Sequence, residues 1–319
     1  MMKAMGNGHL PAGTGMPPAV RHLPHSPGVY RFVDARGRVL YVGRAVDLRR
    51  RVASYWGDLG DRWHLRGMVS AISRVQAVMC ASEHEAAWLE RNLLEAHKPR
   101  ANRSAGGQEV PTLIALSLDG DAPRLKAVYS PSAGLWRYFG PYLGGDRARL
   151  ALSAFHRAYS LAYSGEGLTG SERDMARARG VTAPSRADRV REVSAVLERQ
   201  PDAVARLESE LKSHRDRAAR ALAFELAARV RDEIAAVGWV VAPQRVTGLQ
   251  PYDLDVYGWD DGPLVHFSVR RGRLSTWRER TAVDTRRAAR LTGATPGEWV
   301  EFAQENAALA ARLARAAGG

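Results

Sequence analysis

Two tyrosines, two arginines and one glutamate stand where they could act together on a phosphate ester. Tyr30 and Tyr41 lie in the runs Val29–Val33 and Val39–Gly43, which alternate with period two around Asp34-Ala35-Arg36-Gly37. That pattern predicts an antiparallel hairpin. With its turn centred between Ala35 and Arg36, Tyr30 lies opposite Tyr41 and both rings project from one face. Glu90 falls about 40° from Ala86, beside the helical stripe formed by Ala86, Leu89 and Leu93, an unusual place for a carboxylate. Hydrolysis of a phosphodiester needs an activated water, charge neutralisation at the phosphorus and help for the leaving oxygen. Glu90 is the candidate metal ligand, because hard Mg²⁺ or Mn²⁺ keeps most of its waters and needs few protein oxygens. Tyr41, if surrounded by Arg44, Arg51 and a cation, would have a depressed pKa and accept a proton from water. The competing readings are a Glu90 paired with a neighbouring arginine, a Tyr41 packed as ordinary core and an Arg51 that is simply solvated.

The elements that must position these residues follow from periodicity. Leu48, Val52 and Tyr55 mark one face of a helix, with Arg51 at its edge and Arg49 and Arg50 facing outward. A short third strand is expected over Val75–Met79. Ser82 and Glu85 form a capping box for a helix running to His97, which Pro99 stops, leaving Asn102 in a loop. Strand-like pieces follow at Thr112–Leu118 and Leu125–Tyr129, ending in a turn-like Tyr138-Phe139-Gly140-Pro141-Tyr142. Ser164–Ser171 reads as a linker. Leu207, Leu211, Ala218 and Leu222, then Leu226, Val230 and Ile234, predict a helical hairpin. Leu254–Val283 is β-rich, with Asp260-Asp261-Gly262-Pro263 as a hairpin turn, and an Ala-rich helix closes the chain. The expected class is α+β. Its divisions are a flexible arm over 1–23, the site-bearing domain over 24–104, a β-rich extension over 105–160 and a linker over 161–187. The hairpin over 188–238, a basic β-rich segment over 244–285 and a C-terminal helix over 286–319 complete it.

Composition narrows the partner. The 319 residues carry 47 Lys+Arg against 34 Asp+Glu, a formal net charge of +13, which predicts an anionic partner. Only Lys3, Lys98, Lys126 and Lys212 are lysines, and arginine's planar fork suits bidentate phosphate contacts. Arg270, Arg271, Arg273, Arg278, Arg280, Arg286, Arg287 and Arg290 surround Trp277, a candidate nucleic-acid surface or, equally, a solvated basic stretch. With one cysteine, Cys80, no internal disulfide or Cys-rich metal site is possible. No apolar run reaches a membrane span and the first residues lack a signal-peptide core, so a cytoplasmic location is expected.

Pro27-Gly28-Val29-Tyr30, Tyr41-Val42-Gly43-Arg44-Ala45, Leu48, Arg51 and Ser54-Tyr55 resemble the GIY-YIG nuclease domain of the UvrC family of excision-repair nucleases. Glu83, Glu85-Ala86, Leu89-Glu90, Leu93, Pro99 and Asn102 continue that likeness. Ala218-Ala219, Leu222, Phe224-Glu225, Ala227-Ala228, Arg231-Asp232 and Ile234 resemble the UVR motif that engages UvrB. The resemblance implies that Tyr30 supports the catalytic water or phosphate, that Arg51 stabilises transition-state charge, and that Tyr55 and Asn102 complete the pocket. It also implies a UvrB-like partner contacting Phe224, Glu225, Arg231 and Asp232, whereas the residues themselves read Phe224 and the Ala pairs as core within the hairpin rather than direct partner contacts. Arg44 departs from the family's usual Lys, and a guanidinium cannot supply a neutral amine.

The family's cysteine cluster has no counterpart between Ser160 and Gly180, so no iron–sulfur cluster is expected. No segment resembles the family's RNase H-like or helix-hairpin-helix parts. The expectation is therefore a shortened, Cho-like homologue making one incision, on the 3′ side, in DNA. A non-catalytic UvrB- or DNA-binding adaptor is the alternative, and a GIY-YIG nuclease processing branched DNA is a third reading.

Overall fold

Every residue of Gly28–Val33 (β1) is buried because it is the middle strand of a sheet. Val39–Ala45 (β2) and Arg74–Met79 (β3) pair with it antiparallel on either side. The register corrects the expected pairing: Tyr30 faces Gly43, and Phe32 faces Tyr41. Asp34 is the physical reason. Its carboxylate accepts from the N–H groups of Arg36 and Arg38 at 2.9 Å each, and Gly37 takes φ +78°, centring the turn one residue later. Tyr30 and Tyr41 still share a face, as diagonal neighbours.

Asp47 starts helix α1 (Leu48–Ala53) by accepting from the Arg50 N–H. A short α2 (Arg66–Val69) precedes β3. Helix α3 (Glu83–His97) is N-capped by Ser82 and ends at Lys98 in the left-handed region. The computed structural model describes residues 15–57, 65–102, 109–118, 124–163, 168–178, 186–281 and 283–318. Within the expected arm, Pro18–His22 is a 3₁₀ turn whose Ala19 and Val20, with Leu23, are buried among Leu48, Leu309 and Leu313. That part is core and not a loose arm, since these apolar side chains find a helix to cover them. Residues 1–14 of the arm lie outside the described residues.

Residues 108–243 form a compact unit of their own. Thr112–Ser117 (β4) is central between Leu125–Val128 (β5) and Trp136–Tyr142 (β6). The Tyr138–Tyr142 segment is thus strand, with a cis Gly140–Pro141 bond, where a turn was expected. Helix α4 (Gly145–Tyr159) follows, then α5 (Gly170–Ala178), α6 (Arg186–Leu197), α7 (Pro201–Arg220) and α8 (Phe224–Val241). The expected linker over 161–187 therefore contains helix α5, while its residues 164–167 and 179–185 lie outside the described residues. Ile114, Leu116, Phe155, Leu207, Leu211 and Val237 share one core, so the α7–α8 hairpin packs on α4 and the sheet.

Residues 244–319 cluster with 1–107 in the other unit. Leu254–Gly258 (β7), Leu264–Arg270 (β8) and Arg273–Arg280 (β9) form an antiparallel meander. The C-terminal stretch is two helices, α9 (Thr285–Thr292) and α10 (Gly297–Gly318), because Gly293 and Pro296 interrupt it. Asn306 of α10 accepts from the Met79 N–H at 2.7 Å, closing the outer edge of β3. Among the described residues, no helix is long and apolar enough to cross a membrane.

Candidate active site

Three tyrosines gather on one face of the first sheet. The hydroxyls of Tyr30 and Tyr55 are 2.7 Å apart, and the Tyr41 ring lies 6.2 Å from Tyr30 and 5.9 Å from Tyr55. Gly43 makes room: a Cβ there would come within 2.5 Å of the Tyr30 hydroxyl oxygen. Phe32 closes the cluster from beneath, 4.9 Å from Tyr55. Leu48 and Val52 are fully buried as their spacing requires, which turns Tyr55 inward and sets Arg51 over its ring at 5.7 Å, hydrogen-bonded to Tyr30. Sequence reasoning passed over Asp47, whose cap holds α1 in place and which takes a 2.8 Å bond from His25. Its signal was present, an Asp directly before a periodic apolar stripe.

The lowering expected of Tyr41 depends on a cation, and the protein groups alone act the other way. Burial, then the neighbouring Tyr55 and the Glu90 charge, push its phenol above the usual value, and Arg51 opposes them only in part. Tyr30 is pushed up as well, by burial and by Tyr55 and Tyr41. Both are therefore protonated phenols at neutral pH.

Glu90 and Asn102 meet the free edge of β2. Asn102 accepts from the Val42 N–H at 3.0 Å and donates to the Val42 carbonyl at 2.8 Å, acting as a one-residue strand partner. Glu90 accepts from the Arg44 N–H at 3.1 Å, and the Arg44 guanidinium stands 3.4 Å from its other oxygen. Burial raises the Glu90 carboxyl above its ordinary value, while Arg44 and Arg51 pull it down. The donor set suits a hard cation that keeps its waters, with one carboxylate ligand and phenols to hold those waters. It does not suit a protein-enclosed metal, since no cluster of three His, Cys, Asp or Glu occurs among the described residues.

The remaining candidates divide. Arg50 is exposed, whereas Arg49 is half-buried and donates to the Leu23 carbonyl at 2.7 Å, correcting its outward placement. Arg270 binds both Asp255 oxygens at 2.9 and 3.0 Å, and Arg273 donates to Asn92 and Glu95. These two arginines, expected on a nucleic-acid surface, are ion-paired, Arg270 while exposed and Arg273 while half-buried. Arg271 and Arg278 are exposed. On the hairpin, Phe224 is 65% exposed beside Leu222 and Leu226, which corrects its assignment to the hairpin interior. Leu222 has φ +58°, so the turn swings these side chains outward. Glu225, Arg231 and Asp232 are exposed, the last two paired at 2.8 Å.

Residues 26–103 match the family model of the UvrC-like GIY-YIG domain, and residues 206–238 match that of the UvrB/uvrC motif. The UvrABC system protein C of Pseudomonas putida is 34% identical over 263 residues, covering 78% of this chain and 42% of that protein. That of Mycolicibacterium vanbaalenii is 34% identical over 273 residues, covering 81% and 40%. The chain spans less than half the length of these curated relatives. The magnesium-bound N-terminal GIY-YIG endonuclease domain of Thermotoga maritima UvrC is 28% identical, covering 27% of this chain and 99% of that one with a TM-score of 0.24.

Proposed function

Because the chain carries a UvrC-like GIY-YIG domain at residues 26–103 and a UvrB/uvrC motif at residues 206–238, we propose that it is a metal-dependent DNA endonuclease of nucleotide excision repair. The observation that carries the reading is the convergence of Tyr30, Tyr41, Tyr55 and Arg51 on one face, with Glu90 close enough to act on Tyr41. Glu90 would hold Mg²⁺ or Mn²⁺ through a single carboxylate. When bound, that cation supplies positive charge against the developing phosphorane and acidifies nearby water and phenol groups. Tyr30 and Tyr55 orient a water or a phosphate oxygen through their paired hydroxyls. Tyr41 holds its proton at rest and becomes a proton acceptor only as added positive charge offsets its burial. Arg51 neutralises charge on the scissile phosphate, and Arg44, 3.4 Å from Glu90, would share that carboxylate with the cation. Asn102 positions the site by fixing the β2 edge.

The finer reading is one incision, on the 3′ side of a lesion, with a UvrB-like protein docked on the tip formed by Leu222, Phe224 and Leu226. Arg50, Arg271 and Arg278 remain available to the DNA backbone. The test is cleavage of a lesion-containing duplex bound by UvrB, in Mg²⁺ and in Mn²⁺. Metal-dependent nicking on the 3′ side is expected. Inertness in both metals would leave the adaptor reading, and cutting confined to branched DNA would move the protein out of excision repair.

A further inference from the structure

The arginines of the C-terminal segment fall into two groups. Arg270 and Arg273 are held by Asp255 and Glu95. Arg278, Arg280, Arg286, Arg287 and Arg290 are exposed and form no ion pair among the described residues. The acids that lie among them face elsewhere. Glu279 accepts from Gln76 at 2.6 Å, and Asp284 caps α9 by accepting from the Arg287 N–H at 3.2 Å.

At about 100° per residue, Arg286, Arg290 and Arg287 occupy an arc of roughly 100° on α9, its middle about 150° from Ala288. Ala288 is the buried residue of that helix. Arg278 and Arg280 share the face of β9 opposite to buried Trp277. Five like charges on one continuous stretch repel one another in the free protein, and a polyanion relieves that repulsion.

We infer that α9 carries a phosphate-binding face on which Arg286, Arg287 and Arg290 contact the backbone of duplex DNA, apart from the tyrosine site. Protein interfaces are anchored mainly by buried aromatic and apolar side chains, and membrane-bound amphipathic helices carry them opposite their basic face. The exposed residues of α9 are Thr285, Arg286, Arg287, Ala289 and Arg290, with no large apolar side chain among them. The strand that precedes α9 is fixed relative to the tyrosines. Arg31 of β1 lies 3.9 Å over the Trp277 ring and donates to the Trp277 carbonyl at 2.7 Å, within the same compact unit. A duplex held there would be read by its backbone and not by its sequence.

The inference rests on the reading of this chain as a DNA-acting protein, and its test avoids cleavage. Binding of the full chain to a 30-base-pair duplex of arbitrary sequence is titrated against salt in EDTA, with wild type, the triple variant Arg286→Gln/Arg287→Gln/Arg290→Gln and its triple Lys counterpart. Each neutralised phosphate contributes about 0.9 to the slope of log affinity against log salt. The Gln variant should lose roughly 2 to 3 from that slope and bind about tenfold more weakly, while the Lys variant keeps the wild-type slope and both melt like wild type. Arg270→Gln, which breaks the exposed pair with Asp255, should leave the slope and, within about a degree, the melting temperature alone. An unchanged slope in the Gln variant overturns the inference while leaving the nuclease reading intact. Salt-independent binding by wild type would overturn both.

Discussion

Glu90 and Glu233 are both helix glutamates turned toward protein, and they are treated in opposite ways. Glu233, on α8, is sealed from solvent and takes bonds from Ser153 at 2.8 Å and from Arg157 at 2.7 and 2.9 Å, with Arg229 at 3.5 Å. Burial works to raise its carboxyl, but these donors outweigh burial and leave it below the usual range. Glu90 has one backbone N–H and one half-exposed guanidinium at 3.4 Å, and its carboxyl is raised. A carboxylate whose lone pairs are all engaged is scaffold. One left under-satisfied at an open strand edge is available to a cation.

The comparison breaks most visibly on activity. Glu90→Gln keeps the shape and the acceptor for the Arg44 N–H but removes the charge a hard cation needs. Single-turnover nicking should fall by about 10³-fold or more. Its melting temperature should stay within about a degree of wild type, since surface-edge changes cost little. Equal cutting rates would end the metal assignment. Glu233→Gln should do the reverse: removing one partner of a sealed pair costs about 3 kcal/mol. Denaturant melts should show that loss, with nicking per folded molecule unchanged. A stable Glu233→Gln protein that cannot nick would dissolve the distinction.

The two glutamates also show what could be read without coordinates. The apolar stripe around Glu90, the Leu48–Tyr55 face and the Ser82 cap are local patterns, and the structure keeps them. Registers and partners are not local. Asp34 moved the hairpin centre by one residue through two hydrogen bonds that alternation does not encode. Arg270 and Arg273 read as free cations because Asp255 and Glu95 meet them only after the chain folds back. Glu233 sat in an amphipathic pattern like any surface glutamate until Arg157 arrived from α4. Phe224, expected to pack inside the hairpin beside the Ala pairs, is turned to solvent by the left-handed Leu222.

Phe224 sharpens the contrast within the hairpin that carries Glu233. Being exposed, it should tolerate truncation: Phe224→Ala is expected to shift folding stability by less than about 0.5 kcal/mol. An exposed aromatic at a docking tip contributes about 2 kcal/mol or more to association, so binding to a UvrB-like protein should weaken at least about 30-fold. Isothermal titration with the purified partner measures it. Undiminished affinity with an intact fold would remove the tip from the interface, and unfolding would return Phe224 to the hairpin interior.

The smallest effect has the most diagnostic sign. Glu233 has a lowered carboxyl, so its ionisation stabilises the fold above the unfolded-state pKa, and that stabilisation is lost as pH falls through the folded value. Glu90 has a raised carboxyl, so its ionisation opposes folding: the penalty is absent below the unfolded-state pKa and complete once pH exceeds the folded value. Glutamine titrates at neither position. In metal-free buffer, the melting temperature of Glu90→Gln relative to wild type should therefore rise as pH goes from about 4 to 7. That of Glu233→Gln should fall over the same interval. Magnesium should reverse the first trend alone, because a cation on Glu90 favours its ionised form and stabilises only the wild type. Two difference curves of the same sign in EDTA would mean that Glu90 is paired as fully as Glu233, and the open-edge account of the site would fail with it.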